Sequence, residues 1–172
     1  DLEQLSFYLH PLGFFYSHTP DRRRRVHAWI EGSAGRAANS RHTHSFCMRS
    51  RILLGSMDNR LFKFSESLDG DELEFMVSYQ NDTSSLRETG RRGRLYVQSK
   101  FTSLAGSDYF LAADCIHEAT ATHLPCVTLV DIYEAGAPIL VYGRNAAEPE
   151  FARRAASRTE TTKILNVLRS RF

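Results

Sequence analysis

Short stretches in which apolar and polar residues alternate, each closed by a turn rich in Gly, Asp or Asn, run through almost the whole chain. They leave room for little but packed β-strands. Over residues 72–79, Leu73, Phe75 and Val77 alternate with Glu72, Glu74, Met76 and Ser78. Residues 94–101 repeat the pattern, with Leu95 and Val97 set against Arg94, Tyr96 and Gln98. The same reasoning predicts strands over 25–30, 42–54 (one long strand or a pair), 60–64, 109–112, 116–120, 126–133 and 138–142. Turns are expected at 55–59, 69–71 and 106–108, and exposed loops over 32–40 and 81–93. Residues 5–16 are rich in aromatics, with Pro11-Leu12-Gly13 as a break. From Glu148 the texture changes, and Ile164, Val167 and Leu168 fall at helical spacing. One C-terminal helix is predicted over 150–171, or two with a break near Ser157. About ten short strands and a terminal helix make an all-β fold, either a barrel or a sandwich.

A chain of 172 residues with 42% apolar and 24% charged residues is one globular domain with a real core. The net charge of +2 supplies no strong field. The basic run Arg22-Arg23-Arg24-Arg25 follows Asp21 and leads into Val26-His27-Ala28-Trp29-Ile30, so it reads as a solvated turn entering a strand. A nucleic-acid footprint would be a broad basic face. No run of about 18 apolar residues and no signal-peptide pattern is present. Neither nucleic acid nor membrane is expected as a partner. Cys47, Cys115 and Cys126 are odd in number and lack CxxC spacing, which argues against a zinc finger and a disulfide framework. Reduced thiols in a cytoplasmic protein are the expectation.

The chemistry concentrates at His42-Thr43-His44, with Gly55 eleven residues after His44, and at Gly106 followed by His117. Strand side chains alternate, so His42 and His44 should share a face. With a third imidazole from a distant strand they form half of a first-row metal shell, the other half staying open. Arg25, His27 and Trp29 share a face of their own strand; if it points inward, His27 contacts substrate or supports the ligands, and Trp29 walls the pocket. The alternative is a core tryptophan beside a satisfied histidine. Arg49, Arg51 and Arg94 are candidates for bidentate binding of a substrate carboxylate. Tyr96, Gln98 and Tyr133 are candidate proton donors or substrate ligands. His10, His18 and His123 fall outside the motif spacing and read as structural, and Glu118 is sent by parity to the face opposite His117. Phe7, Tyr8, Phe14, Phe15 and Tyr16 are too apolar for a free edge, so they are either core or a homodimer contact.

These motifs resemble those of the cupin superfamily, whose first motif runs G-x5-H-x-H-x(3,4)-E-x6-G and whose second runs G-x5-P-x-G-x2-H-x3-N. His42, His44 and Gly55 fit the shorter first motif; Gly35 stands one residue too early, and Met48 occupies the Glu position. Gly106 and His117 fit the second, while Ala112, Asp114 and Ala121 replace its Pro, Gly and Asn. The resemblance implies a double-stranded β-helix, or jelly-roll barrel, over residues 1–145 and a helical tail over 146–172. It implies His42, His44 and His117 as metal ligands without a carboxylate. Cupins of that kind include thiol dioxygenases and other small-molecule Fe(II) dioxygenases. The implied activity is oxidation of a small polar substrate by O2 on Fe(II), with His27, Arg94 and Tyr133 as catalytic candidates. Three imidazoles suit Zn, Mn, Ni or Cu as well. A non-redox isomerase or lyase, or a barrel that only binds a ligand, are the alternative readings. Cys47 lies near the Glu position, as a Cys does in thiol dioxygenases, where a Cys–Tyr cross-link would pair it with Tyr133. Parity, however, turns it away from His44.

Overall fold

The alternating segments pair antiparallel throughout. The structure is a computed structural model that describes residues 5–32, 40–134, 136–145 and 149–170; Gly35 of the first motif lies outside them. Its elements are β1 (Tyr8–Leu9), β2 (Phe15–His18), β3 (Arg24–Trp29), β4 (Arg41–His42), β5 (Phe46–Glu66), β6 (Glu72–Gln80), β7 (Thr83–Leu104), β8 (Asp108–Leu111), β9 (Ile116–Glu134), β10 (Leu140–Gly143), β11 (Glu150–Ala152) and α1 (Arg158–Arg169). The fold is therefore all-β with one C-terminal helix. Hydrogen bonding runs β1-β2-β3-β9-β4-β10-β6-β7-β5-β8, and a further β5–β9 pairing closes β9, β4, β10, β6, β7 and β5 into a ring. No helix among the described residues is long and apolar enough to cross a membrane.

Two long strands organise this ring. The C-terminal half of β9 pairs with the start of β5 (Cys47 opposite Tyr133), and its N-terminal half with the far end of β5 (Leu61 opposite His117). The register shifts between Leu54 and Ser56. Gly55 sits at this irregularity with φ of +77°, and a Cβ there would lie 2.4 Å from the His123 carbonyl oxygen. Only glycine fits such a close approach at such a backbone angle.

Three expectations are corrected. Residues 55–59 do not turn, because β5 runs through them and absorbs the irregularity as a bulge. Residues 81–93 are not an exposed loop: Asn81 and Asp82 make the turn, and β7 begins at Thr83 to pair with β6. The polar residues of β7 face solvent from a strand, so polarity misled the reading. The predicted helix over 150–171 shortens to Arg158–Arg169, because Glu150–Ala152 instead adds β11 to β7. Ser157, near which a break was expected, is the N-cap: its hydroxyl accepts from the Glu160 amide while the Glu160 carboxylate accepts from the Ser157 amide.

The core has two sides, set by the parity of β2 and β3. Phe15, Val26, Ala28 and Ile30 point outward from the ring and pack with Phe7, Val127, Ile164 and Leu168, so α1 caps the sheet. Tyr16, His18, Arg25 and His27 point the other way, into a cavity of about 670 Å³. The N-terminal aromatics are thus spent inside the chain, with Phe7, Phe14, Phe15 and Tyr16 all buried; only Tyr8 of the group is exposed. Phe7 and Phe15 belong to the core that α1 caps.

Candidate metal centre

The His42-Thr43-His44 segment is clamped from both sides. Its β4 residue His42 pairs with Val141 of β10 and with His117 of β9. The Thr43 amide donates to the Leu140 carbonyl (2.8 Å), the Leu140 amide donates to the Thr43 hydroxyl (2.8 Å), and the His44 amide donates to the Ala113 carbonyl (2.9 Å). Thr43 is buried on one side, and the two imidazoles emerge on the other, as strand parity requires. Strand pairing alone therefore brings the third histidine alongside the first, although the two lie far apart in sequence.

The three rings form a near-equilateral group. Their centroids are 4.8 Å apart for His42 and His44, 4.5 Å for His42 and His117, and 4.9 Å for His44 and His117. One nitrogen from each ring lies within 4.8 Å of the others. Ligands about 2.1 Å from a common ion stand about 3 Å apart, and the Nε2 atoms of His44 and His117 lie 2.8 Å apart. Burial pushes the His44 and His117 imidazoles well below their ordinary pKa, and neighbouring histidines add to the effect. Burial also lowers His42, against the opposing pull of the Ser40 carbonyl and the Glu118 carboxylate. All three are neutral near pH 7, the state in which imidazole ligates.

The donor set fits a divalent cation. Among the described residues, no carboxylate joins the three rings. The His117 Nδ1 is buried without a hydrogen-bond partner, while its Nε2 faces another ring nitrogen. His42 Nδ1 lies 2.8 Å from the Ser40 carbonyl oxygen, so it carries the proton and leaves Nε2 free as a donor. Ser40 is held in turn by its hydroxyl donating to Glu118. Glu118 does face away from His117, and parity gave no reason to expect this supporting part.

His42 and His44 line the cavity, and His117 lies buried behind them. His27 lines it too, and its Nε2 is sealed from solvent without a partner. Tyr133 and Arg94 do not reach it. Tyr133, 47% exposed, stands beside Phe110 on the outer face, and Arg94 is exposed on β7 opposite Ser65. Tyr96 and Gln98 are exposed likewise. Arg49 is exposed and ion-paired with Asp108, and Arg51 is exposed. Cys47 sits directly across the ladder from Tyr133, on the side of β5 away from Phe46, which does line the cavity. Cys47, Cys115 and Cys126 are free thiols.

The sequence reading missed His10 and His18, which line the cavity, and it did not single out Tyr16 or Arg153. A signal was present: Tyr16-Ser17-His18 and Arg25-Val26-His27 each put a polar aromatic or charged group on the same strand face, and pairing sets Tyr16 opposite His27 and His18 opposite Arg25. No family model matches the chain, and no curated protein matches it.

Proposed function

We propose that this chain is a metal-dependent enzyme of the cupin kind, its ring a jelly-roll barrel, that binds Fe(II) through His42, His44 and His117 and oxidises a small molecule with O2. The observation that supports it is the convergence of three neutral imidazoles, His117 buried and His42 and His44 half-buried, with no carboxylate joining them among the described residues, beside the cavity that His42 and His44 line. Three neutral ligands leave a divalent ion its full charge and about three open positions if octahedral. Iron(II) held by His42, His44 and His117 would supply open sites at which a substrate heteroatom and O2 could both bind. The chain's own residues do the rest. Ser40 fixes the His42 ring through its carbonyl. Phe14, Phe46, Ile139 and Val141 exclude water from the cavity. His27 lines the cavity beside the ligands and is kept neutral, its pKa pushed down to about 3 by burial and by Arg25 and His18.

The test is metal content after anaerobic purification, followed by O2 uptake on addition of Fe(II) and a substrate panel. Stoichiometric iron with substrate-triggered O2 consumption is expected, and any one of His42→Ala, His44→Ala or His117→Ala should remove both. Turnover persisting in a variant that holds no metal would overturn the reading. Tight zinc or nickel without O2 use would replace it with Lewis-acid chemistry at the same site.

A further inference from the structure

The cavity carries a second set of groups, distinct from the three ligands, whose formal charges are all positive. Arg22, Arg25 and Arg153 line it together with His18, and neither Asp nor Glu is among its described lining residues. The neighbouring arginines are set toward other partners: Arg24 pairs with Asp131 (3.0 Å) and Arg154 with Glu160 (2.7 Å). Among the described residues no carboxylate pairs with Arg25. Arg25 is half-buried, lies over the Phe46 ring at 4.8 Å and the Tyr16 ring at 5.9 Å, and its Nε is sealed from solvent with nothing to donate to. The Nδ1 of His18, directly across the ladder, is sealed and unpartnered too. Across the cavity the Arg153 guanidinium lies 4.6 Å over the Tyr79 ring.

A desolvated guanidinium without a counter-charge is costly. Burial lowers the Arg25 pKa most, Tyr79 and Tyr16 pull it back up, and Arg153 and Arg22 repel the charge and lower it. A fold keeps such a wall only if something else neutralises it. The remaining lining is apolar, with Leu12, Val77, Leu86, Ile139 and Phe151 among it. An occupant must therefore be anionic at one end and apolar along its body. Phe46 fixes the direction, because its ring lies against Arg25 at 4.8 Å and also stacks on the ligand His44 at 5.1 Å.

We infer that the cavity binds an amphipathic organic acid, its carboxylate on Arg25 with Arg153 and His18 nearby, and its apolar body along Phe46 toward His42 and His44. This names the substrate class of the proposed oxygenase and rests on that reading for its catalytic meaning, though the binding itself needs no metal. A cavity of about 670 Å³ suits a molecule of that kind.

The chain's one tryptophan, Trp29, reports occupancy, since its ring lies 4.7 Å from Phe14 and 6.0 Å from His27 in the wall. Fluorescence titrations would use 3-phenylpropanoate, 3-phenylpropanamide, 3-phenylpropylamine and inorganic phosphate, on EDTA-stripped and on metal-loaded protein, with metal content measured on the same samples. The acid should bind at least about 10-fold more tightly than the amide, and the amine weakest. Arg25→Met should remove that advantage and leave amide affinity unchanged, whereas Arg25→Lys should retain part of it. If Arg25→Met melts before titration, Arg153→Met at the end of β11 carries the same comparison with a smaller loss. Equal affinity for acid and amide would overturn the inference, as would undiminished acid binding in both variants. Phosphate binding as tightly as the aromatic acid would reduce the site to a plain oxyanion pocket and overturn it too. Acid binding by stripped protein that takes up no iron would keep the inference and remove the oxygenase reading; iron uptake without acid preference would do the reverse.

Discussion

The proton on His42 decides what the centre can hold, and a residue outside the cavity sets it. His42 Nδ1–H donates to the Ser40 carbonyl, and Ser40 is tied by its hydroxyl to Glu118, which also lies 3.8 Å from Arg60. The carboxylate thus acts on the ligand through one serine and without touching the ion. Outer partners of this kind are worth about 10–100-fold in metal affinity. Glu118→Gln and Ser40→Ala are each expected to weaken binding of Zn(II) or Co(II) by about 10-fold, measured by competition with a chromophoric chelator. The folded state should be little changed, since Glu118 is only half-buried on the outer side of β9. Wild-type metal affinity in both variants would show that the Ser40 link does not orient the ring.

At the scale of elements, the long β5–β9 ladder supports the centre through β9, and its register is irregular around Gly55. An alanine there meets the His123 carbonyl at 2.4 Å and the Pro125 carbonyl at 2.8 Å, both backbone atoms that cannot swing away, at a φ of +77°. Gly55→Ala should cost about 1–3 kcal/mol from backbone strain alone, and more from the displaced ladder, read as a lowered midpoint in urea. A midpoint within error of wild type would mean the bulge relaxes freely. The same element shows what a sequence can and cannot disclose. Parity placed His42 and His44 on one face, and put Arg25, His27 and Trp29 together, because period-two alternation is a local property. The third histidine was reached only through the resemblance to the second cupin motif, which Gly106 and His117 fit, since register between distant strands leaves no local trace. Residues 81–93 were misread because a strand with one solvated face and two glycines looks like a loop in composition. His10 and His18 were set aside for a related reason: their role arises when β2 lies on β3 and closes one wall, a pairing that motif spacing does not encode. Tyr133 and Arg94 had plausible chemistry and the wrong face of the sheet.

For the whole molecule, the cationic cavity wall makes stability depend on pH in a definite sense. Burial, then Arg25, Arg22 and Arg153, push His18 from an ordinary 6.5 down to about 4, and burial, then Arg25 and His18, push His27 down to about 3. Unfolded, both rings take up a proton as pH falls through about 6.5; folded, they refuse it until about 4 and 3. The unfolded chain therefore binds more protons throughout that window, and stability falls as the solution is acidified from pH 7 toward pH 4. Above 6.5 the contribution is complete and flat. His42, His44 and His117 are also held neutral by burial and act in the same sense, so the cavity rings are isolated by comparison with a His18→Gln, His27→Gln double variant. Its melting temperature should drop less than that of the wild type between pH 7 and pH 4.5, followed by circular dichroism in a non-coordinating buffer. Arg25→Met should also lessen the drop, but by less, because burial outweighs the arginine's field at both histidines. If the double variant loses as much stability on acidification as the wild type, the protons that unfold this protein bind elsewhere, and the cavity wall is not the strained part of the fold that its unpaired charges make it.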